Sequence, residues 1–245
     1  MKFRCIPSLV MKETDFVKGQ NYKQHKYVGD PNNVLKIFND NYVHEIAIVN
    51  PYIQRVSNLN LKQFEKVFSN CFLPISYGGG LQNLDQVRAL NKRGVEKFII
   101  EYKNNNNGLV DEIGSEFGVQ AVMLHAPFYK YSQDGLHIRK SRGLFRRSEF
   151  VSWARINETI RKFGEVIFTD IRREGTRSRV DSNALKIISQ NINSNQPILY
   201  QGGIRDHVDL KEVQKNNFSG ALVGAAYIYA SKNRSVNVGY FNVDM

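Results

Sequence analysis

Two glycine clusters are the residues best suited to chemistry in this chain. Gly78-Gly79-Gly80 follows the apolar run Cys71-Phe72-Leu73-Pro74-Ile75 and precedes Asn83-Leu84-Asp85-Gln86-Val87-Arg88-Ala89-Leu90, which reads as a helix. Without a Cβ in the way, several backbone N–H groups can close on one anion. A helix that follows adds its positive N-terminal end. Gly202-Gly203 repeats the arrangement after Pro197-Ile198-Leu199. It lies 123 residues beyond Gly79, half of the 245-residue chain. Such spacing marks an internal repeat. Arg177 and Arg179 add positive charge to the second half, so anions are expected there more than at Gly79 and Gly80, where Glu101 opposes them.

A second set of chemical residues sits at the opposite ends of strand-like runs. Arg4, Glu45, Lys97 and Glu165 each open one. They are two cations and two anions, able to neutralise each other in a ring. Glu45-Ile46-Ala47-Ile48 and Glu165-Val166-Ile167-Phe168 are 120 residues apart, which repeats the glycine offset within a small indel. His125 stands at the end of another run and is the weak candidate for a proton-transfer group.

Eight strands are expected to position these residues, near Arg4–Val10, Glu45–Asn50, Leu73–Tyr77, Lys97–Ile100, Gln120–Leu124, Val166–Asp170, Pro197–Tyr200 and Gly220–Val223. Helices are expected near Pro31–Asn41, Leu61–Asn70, Asn83–Arg93, Leu109–Phe117, Arg147–Phe163, Ser182–Gln190 and Asp206–Asn216. Alternating strands and helices argue for one α/β domain over residues 1–245, a (β/α)8 barrel with an internal half-barrel repeat. Its loops would sit at the strand C-terminal ends. Met11–Asp30 and Phe128–Phe145 are too long for simple turns, and each reads as a lid or hairpin over the same mouth. Asn104–Asn107 reads as a polar loop.

Lys and Arg number 34 against 23 Asp and Glu, a formal charge of +11. An acidic or phosphorylated partner fits that balance. Arg139, Lys140, Arg142, Arg146 and Arg147 concentrate the charge, yet no nucleic-acid-binding pattern accompanies them, which argues against nucleic acid. No apolar run is long enough to span a membrane. The start lacks a secretory pattern, and Cys5 and Cys71 read as reduced core thiols, so the cytoplasm is the expected compartment. Nothing in the motifs asks for a metal or a cofactor.

Phe16-Val17-Lys18-Gly19, Val28-Gly29-Asp30-Pro31, Tyr77-Gly78-Gly79-Gly80, Ile171-Arg172-Arg173-Glu174-Gly175-Thr176 and Gly202-Gly203 together resemble HisF, the cyclase subunit of imidazole glycerol phosphate synthase. Lys26-Tyr27-Val28-Gly29-Asp30-Pro31 with Lys36-Ile37-Phe38-Asn39 is similar to the HisF-like branch found with N-acetyl-sugar amidotransferases, of which WbuZ is one. The resemblance implies a (β/α)8 fold and two catalytic aspartates, but Val10 and Pro127 stand at those positions, and Asn50 replaces the aspartate after strand two. It implies a phosphate site at Gly175, Thr176, Gly202, Gly203 and Gly224, and makes Arg4, Glu45, Lys97 and Glu165 the gate through which ammonia enters.

The expected function follows from that pattern. The chain reads as the barrel subunit of a glutamine amidotransferase whose own cyclase chemistry is lost. A HisH-like glutaminase would dock at the floor, and an N-acetyl-sugar amidotransferase of surface-polysaccharide synthesis would collect ammonia at the mouth, with Arg139–Arg147 as its expected contact. The alternatives are a true cyclase (a lyase) of histidine biosynthesis and a non-enzymatic barrel binding anions or nucleic acid.

Overall fold

The computed structural model describes residues 2–13, 15–20, 23–41, 43–53, 64–65, 68, 71–104, 108–139, 148–229 and 235–243. Eight parallel strands close into a barrel: β1 (Arg4–Lys12), β4 (Ile46–Val49), β5 (Ile75–Gly78), β6 (Val95–Glu101), β7 (Val122–Tyr131), β10 (Glu165–Asp170), β11 (Ile198–Gln201) and β12 (Gly220–Val223). The β10–β7 and β12–β1 ladders complete the circle. All eight strands expected from the sequence are present; most ends move by one or two residues, but the strand expected over Gln120–Leu124 runs on to Tyr131 as β7. The fold is a (β/α)8 barrel.

Two antiparallel hairpins extend the closed sheet. β2 (Asp15–Gln20) and β3 (Lys23–Gly29) continue from β1, while β8 (Gly135–Arg139) and β9 (Ser148–Ser152) continue from β7. β1 and β7 are the first and fifth barrel strands, so the half-barrel repeat extends to these excursions. They account for the two stretches too long for turns.

The helices α1 (Pro31–Asp40), α2 (Leu84–Asn91), α3 (Leu109–Phe117), α4 (Trp153–Ile160), α5 (Ser182–Asn191), α6 (His207–Lys215) and α7 (Ala225–Ile228) follow strands or their hairpins. Most begin where a short polar side chain can accept from the first-turn N–H groups: Asp30, Asn83, Ser152, Asp181 and Asp206 all do so. None of the described helices is long and apolar enough to cross a membrane. The helix expected over Leu61–Asn70 falls mainly outside the described residues, as do Asn105–Asn107 and 140–147. The helix expected over Arg147–Phe163 is corrected at its start. Ser148–Ser152 pairs with β8 instead, and the helix begins at Trp153, where Ser152 accepts from Arg155 N. A partner strand distant from the local pattern decided that segment.

Side chains alternate along each barrel strand, so every second residue faces the interior. Ile6, Ala47, Ile99, Met123, Ile167, Leu199 and Leu222 form an apolar cluster inside the barrel, apart from the larger shell between sheet and helices. Two residues earlier on their strands, Arg4, Glu45, Lys97 and Glu165 face the same interior at the floor. Two residues later, Ser8, Glu101, His125, Thr169 and Gln201 face the mouth. Gly79 holds the turn that follows β5. Its φ is +146°, and a Cβ there would sit 2.4 Å from the Asn50 carbonyl oxygen. Gly79→Ala should therefore lower unfolding free energy by about 2 kcal/mol. The measurement is a urea transition with a lower midpoint at unchanged slope; an unmoved midpoint would show that the turn relaxes freely.

Candidate functional site

The floor is built from four charged side chains that close on one another. Arg4 donates to Glu45 at 2.7 Å and to Glu165 at 2.7 Å. Lys97 reaches the same two carboxylates, at 3.1 and 2.6 Å. Each cation thus bridges both anions, and the ring is neutral. Glu45, Lys97 and Glu165 come from alternate barrel strands, and β12 should supply the fourth member of that layer. Gly220 stands there without a side chain. Arg4 of neighbouring β1 fills the gap, and a Cβ on Gly220 would lie 2.6 Å from the Arg4 carbonyl oxygen. The sequence-derived ring therefore exists as a set of contacts among these four residues.

Burial acts first on both Arg4 and Glu165, and in each case disfavours the charged form. The pairing wins. Hydrogen bonds and charges from Glu165 and Glu45 raise Arg4 above its ordinary value. Arg4 and Lys97 likewise hold Glu165 below the usual carboxylate range.

The mouth is occupied on one side by a cavity of about 300 Å3. Gly79, Gly80, Asn50, Glu101, Lys103, His125 and Arg139 line it, and Ile99, Ile167 and Leu222 line it from the apolar layer. Only that layer separates it from the charged floor. Arg139, which belongs to the basic stretch of the sequence, turns inward and meets Glu101 at 2.9 Å, with Lys103 3.7 Å from the same carboxylate. Glu101 is thus matched by two cations, which removes the electrostatic ground for disfavouring an anion beside Gly79 and Gly80. No sequence pattern announced that pairing, because Arg139 arrives on a hairpin strand 38 residues away.

Above the apolar layer runs a belt of uncharged hydrogen bonds. His125 Nε2 lies 2.9 Å from Thr169 Oγ1, Thr169 donates to Gln201 at 3.0 Å, and Gln201 donates to Ser8 at 3.2 Å. With the Thr169 proton given to Gln201, the threonine oxygen accepts from His125. His125 is therefore engaged in the barrel interior while also facing the cavity. Val10 is a buried residue paired with Val17 and Val49, and Pro127 pairs with Thr169. Neither side chain can carry a proton. Asn50 uses its side-chain oxygen to accept from the N–H groups of Tyr52 and Ile53, which fixes the turn after β4.

The other side of the mouth is nearly closed. Gly175, Arg177, Gly202, Gly203 and Gly224 surround a recess of about 10 Å3. Lys18 enters it from β2 and pairs with Glu174 at 2.5 Å, both side chains almost fully buried. A Cβ on Gly224 would lie 2.5 Å from the Lys18 ammonium. Thr176 and Arg179 do not line the recess. The Thr176 hydroxyl donates to the Arg173 carbonyl, and the Arg179 N–H donates to Gly203. Arg177 donates to the Tyr229 carbonyl at 2.9 Å. Lys18 and Glu174 lie in the separate stretches Phe16-Val17-Lys18-Gly19 and Ile171-Arg172-Arg173-Glu174, which nothing in the sequence joins.

A family profile described as histidine biosynthesis protein matches residues 4–233. The hisF2 protein of Pseudomonas aeruginosa, named provisionally as a subunit of imidazole glycerol phosphate synthase, is 30% identical over 252 residues, spanning 98% of this chain and 96% of its own. The HisF subunit of imidazole glycerol phosphate synthase from Helicobacter hepaticus is 27% identical over 232 residues, spanning 92% and 90%. An imidazole-4-carboxamide isomerase of Clostridium botulinum is 28% identical over 230 residues, spanning 90% of each chain. These relatives carry names for two activities.

The floor ring generates a pH prediction. Because the folded pKa of Glu165 is depressed, its contribution is present above the ordinary glutamate value and is lost as pH falls through the folded one. Wild-type stability should thus decline below about pH 4.3 as Glu165 takes up a proton. Glu165→Gln should lose about 2 to 4 kcal/mol at pH 7, since Arg4 and Lys97 then share one anion. Its decline below about pH 4.3 should be shallower than that of wild type. Denaturant midpoints from pH 3 to 7 give both curves, and coincident acid limbs would remove Glu165 from the stabilising network.

Proposed function

Since the chain belongs to the histidine biosynthesis protein family, we propose that it is a HisF-like barrel subunit that conducts ammonia rather than a cyclase. A glutaminase subunit docks at the floor and releases ammonia against Arg4, Glu45, Lys97 and Glu165. The gas crosses the apolar layer of Ile6, Ala47 and Ile167 and emerges in the mouth cavity. There an acceptor enzyme, an amidotransferase acting on an N-acetyl sugar, consumes it. The C–N bond forms on that enzyme.

The observation that carries this reading is the pairing of a closed floor ring with a mouth whose carboxylate, Glu101, is tied to Arg139 and Lys103. Four charges meet in a closed neutral ring. Ring-closing carbon–nitrogen chemistry needs groups that give and take protons across the substrate. Val10 and Pro127 supply none, and His125 is one histidine already bonded to Thr169. A barrel interior also shields ammonia from water and protonation.

A cyclase of histidine biosynthesis is the second reading, favoured by the names of full-length relatives. The two differ in a direct assay. Under the conduit reading, the purified chain given the cyclase substrate and an ammonium salt shows no ordinary turnover. Val10→Asp alone should not create it, because the second carboxylate is still missing and such residues act as a unit. The site at Gly175, Thr176, Gly202, Gly203 and Gly224, with Arg177 and Arg179, belongs to this proposal as an anion site. An anion entering it has to draw Lys18 from Glu174.

The conduit itself is tested with glutamine labelled at its amide nitrogen, in the presence of unlabelled external ammonium. Lys97→Ala leaves the two floor carboxylates with Arg4 alone, and water should then reach the passage. Glutamine hydrolysis should continue while the labelled fraction of the amidated product falls by about tenfold or less, within the range expected for one displaced gate group. Equal label incorporation by a variant that folds and docks normally would make the ring a solvated rim and end the gate reading.

A further inference from the structure

Three side chains meet at the rim of the mouth without serving the barrel's own architecture. Lys12 ends β1, His25 lies on β3, and Tyr52 follows the turn after β4. The Tyr52 hydroxyl and His25 Nδ1 share a hydrogen bond. Their rings meet edge to face with centroids 5.2 Å apart. The Lys12 ammonium stands over the Tyr52 ring, 5.6 Å from its centroid. Asn50 accepts from the Tyr52 N–H, so this group is tied to the same turn that borders the mouth cavity.

His25 Nε2 is buried and, among the described residues, has no hydrogen-bond partner. A buried polar nitrogen left unpaired costs free energy, and such groups in native proteins call for an explanation. The charges around it give one. Lys12 faces His25 from β1, Lys18 from β2 and Glu174 from the loop after β10, and Glu174 is already bound to Lys18. The local balance is positive. Burial first, and then Lys18 and Lys12, keep the imidazole below its ordinary value, with Glu174 opposing. Burial also raises Tyr52, which therefore stays protonated. When Tyr52 donates to Nδ1, the neutral imidazole carries its proton on Nε2, so that atom is a donor in need of an acceptor.

We propose that Lys12, His25 and Tyr52 form a binding site for an anionic oxygen group of a ligand entering the mouth, a phosphate monoester or a carboxylate. His25 Nε2–H donates to the oxygen, Lys12 supplies the opposite charge, and Tyr52 fixes the ring. The bound anion offsets Lys12 and Lys18, so it also favours the imidazolium form. Ligand binding and protonation of His25 are thereby linked. The site is distinct from the Gly202–Gly203 recess. It holds whether or not nitrogen crosses the barrel.

The test is an NMR pH titration of the histidine rings in the full chain, with His25 assigned by the signal lost in His25→Gln. Three samples at matched ionic strength contain chloride, inorganic phosphate or acetate. Phosphate or acetate should raise the His25 midpoint by about one unit relative to chloride, equivalent to about tenfold tighter binding of the anion to the protonated form. The exposed His44 should not move. Lys12→Ala should abolish the anion-dependent shift. A response to phosphate alone identifies a phosphoryl ligand, a response to acetate alone a carboxylate, and a response to both the shared anionic oxygen. If neither anion moves His25, or if Lys12→Ala keeps the shift, the proposal is overturned.

Discussion

Closure of the sheet through the β10–β7 and β12–β1 ladders is the constraint from which the rest follows. A closed barrel has no edge, and half of its side chains are forced inward by the pleat. Those side chains reach water only at the two ends. A charge on an inward position must therefore lie at an end or be paired. Arg4, Glu45, Lys97 and Glu165 satisfy both conditions, whereas the next inward layer, with Ile6, Ala47, Ile99 and Ile167, is apolar throughout. The same rule places Glu101 at the other end and explains why Arg139 and Lys103 accompany it.

The half-barrel repeat distributes these features unevenly. Glu45 and Glu165 occupy equivalent places in the two halves, but the cations that join them do not repeat. Both halves carry a hairpin after their first strand, and the hairpins do different work. β2 delivers Lys18 into the recess beside Gly224, which closes that side of the mouth. β8 delivers Arg139 to Glu101 and leaves a cavity of about 300 Å3. Two equivalent excursions thus produce one filled and one open side.

What was legible in the sequence tracks the range of the interactions involved. The strands could be read because alternation and glycine punctuation are local. The floor charges could be read as a set because each opens a strand, and strand starts in a closed barrel share one end. Ser148–Ser152 was misread as helix because its pairing with β8 outweighs any local preference. Lys18 and Glu174 cannot be joined from sequence, being 156 residues apart, one on β2 and the other in the turn after β10. Arg139 stands in a basic run that gives no hint of its partner, and a carboxylate on another strand draws it inward. The His25–Tyr52 contact left no sequence signal at all, since neither residue has a partner at a telling spacing.

The interior also has a bearing on what could pass through it. From floor to mouth the inward layers are charged, then apolar, then polar, with Glu101 of the last layer paired to Arg139 and Lys103. An ammonium ion leaving the ring would meet the apolar layer without a counter-charge, and a bare cation in such surroundings is strongly disfavoured. Neutral ammonia pays far less there. Beyond it, the belt of His125, Thr169, Gln201 and Ser8 offers hydrogen-bonding groups but no carboxylate. Under the proposed conduit reading, the order of the layers would favour neutral ammonia over ammonium, provided that the four floor charges stay paired with each other.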